Sequence, residues 1–150
     1  MTLIPNNLRS QLLANGRDPR ADHVPLLKLF NPTGPDCLLI SEIQPYDEDI
    51  VYGLTDFGDG DLQVGPFNLP EVDEITRSCG FRFERDPLFH ARHPLSVYLE
   101  AARMQRGITT IPSLLDAAAG RLVARAIGAC DAKLYDPTCL CRISHTHPDG

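Results

Sequence analysis

Apolar residues change their spacing along this chain, and the changes mark its elements. Leu8, Leu12 and Leu13 recur at helical intervals after Pro5 and stop at Gly16, which predicts a short helix over about residues 6–15. The polar stretch RDPRADH that follows reads as a loop. Four short apolar runs come next: VPLLKLF (24–30), CLLISEI (37–43), IVYGLTD (50–56) and LQVGPFNL (62–69). The breaks between them, NPTGPD, QPYDED and FGDGD, are rich in turn-forming residues, so the runs predict strands of an antiparallel meander. FRFERD (81–86) predicts a fifth strand, with Phe81, Phe83 and Arg85 on one face and Arg82, Glu84 and Asp86 on the other.

Helical spacing returns between and after these strands. Asn68 stands three residues before Glu71, with Pro70 in the first turn, so Asn68 can accept from the free amides that open a helix. Glu71, Asp73 and Glu74 suit the positive end of that helix, and Arg77 and Gly80 suit its other end. Leu95, Tyr98, Leu99 and Ala102 mark an amphipathic helix over about 94–105. After Gly107, Leu115, Ala118, Leu122 and Ala126 mark another over about 112–127, weakened at Gly120. The expected fold is α+β: an antiparallel sheet of about four to five strands with helices packed on one face. Residues 1–106 form one domain in this reading, and 107–150 a helical C-terminal extension with a disordered tail.

Composition narrows the class. The longest unbroken apolar run is Cys37-Leu38-Leu39-Ile40, far short of the ~18 residues a membrane span requires. The opening MTLIPNNLRS has neither the basic start nor the apolar core of a secretory signal. Five cysteines, an odd number, fit free thiols in a reducing cytoplasm better than a disulfide framework.

Charge departs furthest from the average. The chain carries a net charge of −6, yet residues 29–76 hold eleven acidic groups and no Lys or Arg. Such a one-signed stretch repels nucleic-acid phosphates and attracts cations or a basic protein, or it serves only as a solvated face. Asp47, Glu48, Asp49, Asp56, Asp59 and Asp61 are the candidate acidic binding surface. Glu71, Asp73 and Glu74 have a structural task at a helix start instead.

Few constellations carry chemistry. If the face of Phe81 and Phe83 is core, Arg85 enters it and requires a carboxylate partner. A structural ion pair, or a ligand anchor built with Glu84 and Asp86, would follow. Cys139, Cys141, His145 and His147 are zinc-type donors, but they crowd into nine residues of the tail with unsuitable spacing. His90 and His93 form H-x-x-H without the Glu of a zincin. Cys79 closes a helix, where nothing activates a thiol. The turn from Asp56 to Asp61 lacks the ligand spacing of a calcium loop. No cofactor motif is present in the sequence. Two lysines, no Trp and no basic run serve nucleic-acid binding poorly, although Arg103, Arg106, Arg121 and Arg125 could form an Arg patch on the C-terminal helices.

Taken in order, LIPNNLRSQLLANG, PLLKLFNP, LLISEI, IVYGLTDFGDGDLQVGPFNL, FRFERDPLF and HPLSVYLEAA resemble the bacterial family known as domain of unknown function 2958. The resemblance covers about residues 3–102. Gly65 matches, whereas Gln63 stands where the family is expected to carry Glu. The resemblance implies a small cytosolic accessory protein of plasmids and integrative elements, and it supplies no catalytic residues.

The leading expectation is a non-catalytic module whose acidic surface meets a basic or nucleic-acid-processing protein. In its sharper form the chain mimics nucleic acid to inhibit a host restriction or CRISPR-type effector, which needs about ten carboxylates on one surface. The alternatives are an enzyme using Glu84, Arg85, Asp86 and His90 or His93, or a nucleic-acid binder using the C-terminal Arg face.

Overall fold

The computed structural model describes residues 3–132. Helix α1 (Asn6–Gly16) is followed by strands β1 (Leu27–Phe30), β2 (Cys37–Gln44), β3 (Asp47–Asp56) and β4 (Leu62–Asn68). Helix α2 (Leu69–Ser78), strand β5 (Glu84–Arg85) and helices α3 (Leu95–Gln105) and α4 (Pro112–Ala132) complete the order. The strands form one antiparallel sheet in the order β4-β3-β2-β1-β5, so the meander is as expected and β5 adds beside β1.

The helices lie on both faces of this sheet, which corrects the expectation of a single covered face. The reason is β2, where every residue from Cys37 to Ile43 is buried. A strand with no polar alternation has two faces to cover. Leu38, Ile40 and Ile43 join Leu12 of α1, Leu69 of α2, and Val51 and Phe83 in one core. Leu39 and Leu54 point the other way, into a second core with Leu95, Tyr98 and Ala102 of α3 and Leu115 and Ala118 of α4.

Close backbone approaches set the sheet's centre. A Cβ on Gly53 would lie 2.0 Å from the carbonyl oxygen of Leu39 across the β2–β3 ladder, so no larger residue fits there without a shift. Just beyond, the register slips between Ile40 and Glu42, leaving Ser41 as the extra residue of a bulge. The slip places Glu42 opposite Tyr52 on the α3 face.

Caps fix the helix ends. Asn68 accepts from the Glu71 amide at 2.9 Å and opens α2, with Pro70 in the first turn, as its sequence predicts. The Asp22 carboxylate accepts from both the amide and the hydroxyl of Ser96, tying the loop after α1 to the start of α3. Arg106, in the left-handed conformation with φ 59°, ends α3. No helix among the described residues is long and apolar enough to cross a membrane.

Candidate functional sites

The acidic residues do not share one surface. Asp47, Glu48 and Asp49 are exposed where β3 begins, and Asp59 and Asp61 are exposed in the loop beyond its end. Ten residues of strand at about 3.3 Å each put roughly 30 Å between the two groups. At physiological salt, where screening acts over about 8 Å, they act independently.

Asp56 belongs to neither group and leaves the candidate surface. It is buried at the end of β3 on the α3 face. Its Oδ1 accepts from the Gly58 amide at 2.9 Å, and its Oδ2 from the Ile108 amide at 3.1 Å. The carboxylate thereby holds both the β3–β4 turn and the connection between α3 and α4.

At the opposite end of β3 the acids gather around a small cleft. Asp49, Glu48, Arg9, Pro70 and Asp73 line about 210 Å³ between α1, α2 and the start of β3. Glu48 pairs with Arg9, and Asp73 Oδ2 with Arg77 at 2.8 Å. Asp73 Oδ1 is shielded from solvent and has no hydrogen-bond partner. Next to this end Tyr46 stands 80% exposed.

Residues proposed for an enzyme come together only in part. Arg85, Asp86 and His90 border a cleft of about 310 Å³ beside α1, while Glu84 does not line it. Arg85 shares the face of Phe83, as alternation predicts. Because β5 is an edge strand of two residues, its side chain stays exposed, and no carboxylate among the described residues pairs with it. The buried ion pair expected of Arg85 is therefore not formed. Asp86 instead pairs with Lys28 at 3.7 Å and accepts from the Leu88 amide. His93 Nε2 lies 3.0 Å from Asp116 on α4, a pair His90 does not join.

The C-terminal arginines are partly committed. Arg125 donates to the buried Glu100 at 2.7 Å, and Arg121 lies 3.4 Å from the same carboxylate. The two span α3 and α4, as their i,i+4 spacing allows. Arg103 borders the same hollow, and Arg106 does not.

Glu42 is the feature that sequence reading passed over. It is one of the eleven acids of residues 29–76, and its place inside an apolar run, between Ile40 and Ile43, is the sequence signal of its burial. The residue is 3% exposed, and its Oε1 has no partner. Burial raises its carboxyl above the usual carboxylate range, nearby His23 opposes this, and Asp18 adds to it.

Among the cysteines, burial pushes the Cys37 thiol up to about 12, while Cys79 is exposed at the end of α2. Among the described residues no group of three or more His, Cys, Asp or Glu is placed to hold a metal ion. Cys139, Cys141, His145 and His147 lie outside the described residues.

A two-faced antiparallel sheet with four helices defines an α+β protein. The chain belongs to the family described as protein of unknown function (DUF2958), which it matches over residues 3–109. The match ends three residues before α4 begins. No curated protein and no solved structure matches it.

Proposed function

We propose that this chain is a non-catalytic binding module that meets a basic protein through the end of the sheet where β3 begins. The observation that carries this reading is Asp73 Oδ1, a shielded acceptor without a donor in a cleft shared with Asp49 and Glu48. An unmade hydrogen bond of this kind costs roughly 1–3 kcal/mol, which a donor from a partner recovers. Asp47, Glu48, Asp49, Glu71, Asp73 and Glu74 against Arg9 and Arg77 leave a local charge of −4. Such a field speeds the approach of a basic surface. The exposed Tyr46 beside it supplies the aromatic anchor that protein interfaces favour.

In the setting that the family resemblance implies, accessory proteins of mobile DNA acting in the cytoplasm, the partner is an enzyme that handles nucleic acid and carries a basic groove. With Glu42 and Asp56 buried and the other acids divided, the chain offers a compact acidic contact rather than an extended copy of a phosphate backbone.

The test is affinity capture from host lysate with and without nuclease treatment, using the wild-type chain, Asp49→Asn/Asp73→Asn and Asp59→Asn/Asp61→Asn. A stoichiometric protein that is retained by the wild type and the second variant and lost with the first supports the reading. Equal capture by all three, or a bound species removed by nuclease, refutes it.

A further inference from the structure

A second cavity, of about 270 Å³, opens on the α3 face of the sheet. It lies between the loop after α1, which supplies Arg20, Asp22 and His23, the bulge of β2 with Ser41 and Glu42, and Tyr52, Val64 and Leu99. Its polar side chains are largely committed elsewhere. Asp22 holds Ser96, His23 Nε2 lies 2.7 Å from the Asp18 carbonyl oxygen, and Ser41 donates to the Tyr52 carbonyl at 3.3 Å. Arg20 is exposed, and no ion pair joins it to Glu42. Glu42 Oε1 alone is buried with nothing to accept from.

We infer that this cavity receives a guanidinium group, bound between the Glu42 carboxylate and the ring of Tyr52. A buried carboxyl without a donor is costly, and the bulge that places it there puts it directly across the strand pair from an aromatic residue on the same face. A planar guanidinium satisfies both neighbours at once, since it pairs with a carboxylate through parallel N–H bonds and stacks on an aromatic face. An ammonium, a compact and strongly hydrated charge, gains less from the second contact. Val64, Leu95 and Leu99 give the cavity an apolar wall for a short aliphatic stem. The inference is independent of the contact proposed above, because this cavity lies on the other face of the sheet.

The test is titration of the full chain with n-butylguanidinium and with n-butylammonium, followed by amide chemical shifts and calorimetry. The expected result is saturable binding of the guanidinium, at least ten-fold tighter than the ammonium, with the largest shifts at residues 20–23, 41–42 and 52. Glu42→Gln, which keeps shape and removes charge, should weaken binding at least ten-fold with circular dichroism unchanged. Tyr52→Leu should weaken it several-fold. A tripeptide Gly-Arg-Gly with capped ends serves as a third arm. If it binds as tightly as n-butylguanidinium, the natural source is an arginine side chain of a protein; if it does not bind, the source is a free small molecule. No guanidinium binding by the folded chain, equal affinity for the ammonium, or full binding by Glu42→Gln overturns the inference.

Discussion

Removing the Asp56 carboxylate separates its structural role from its contribution to surface charge. The structure gives it two acceptor bonds, to the amides of Gly58 and Ile108, and almost no exposure. A hydrogen bond to a charged group contributes about 1.5–3 kcal/mol. Gly58 is exposed, so its amide can turn to water, whereas the half-buried Ile108 has less access to a replacement. Asp56→Ala should therefore lower stability by about 3 kcal/mol, with most of the loss from the Ile108 contact. Asp56→Asn keeps one acceptor oxygen and should lose about half as much. Urea unfolding followed by circular dichroism reads this directly. With a slope of about 1.5 kcal/mol per molar urea, the Ala variant's midpoint falls by ~2 M. Asp59→Ala, in the exposed turn beside it, should stay within about 0.5 kcal/mol of wild type. If Asp56→Ala also stays within that margin, the carboxylate does not anchor the α3–α4 connection and the reasoning fails.

Two further predictions concern buried ionisable groups. Because burial raises the Glu42 carboxyl in the folded state, ionising it opposes folding. The wild type should lose stability as pH rises above the ordinary carboxylate range and through the raised folded value. Glu42→Gln should lack this loss and gain on the wild type over that window; parallel urea midpoints from about pH 4 to about pH 8 test it, and coincident curves would count against the burial argument. The thiols should differ sharply in reactivity: iodoacetamide should label Cys79 in the native protein, whereas Cys37 should react only after denaturation. Peptide mass spectrometry of the two sites decides this, and native labelling of Cys37 at the rate of Cys79 would contradict it.

Local patterns carried the meander and the helices into view, because apolar runs separated by Pro, Gly and Asp leave little choice of connection. Asn68 and Glu71 likewise marked the start of α2 within a residue. What local pattern could not supply was the cover over both faces of one strand. Alternation puts Leu39 on the face opposite Leu38 and Ile40, but only the arrival of α3 and α4 from distant sequence shows that this second face is buried as fully as the first. The same limit applies to charge. Eleven acids count equally in a sum, yet Glu42 and Asp56 are withdrawn by a bulge and by a connection 52 residues away. Arg85 shows the reverse: alternation assigned it the right face, but alternation does not reveal that the strand ends at the rim.

The two outer strands have a consequence for how this protein behaves in a crowded solution. An open sheet exposes unpaired N–H and C=O groups along each border, where further chains can add. Here one border is β5, too short at two residues to template a long pairing, with Pro87 two residues beyond its end. The other is β4, where Pro66 interrupts the row of donors. Both borders are thus poor seeds for strand addition, and the folded chain should stay dispersed at high concentration without a cap over either one.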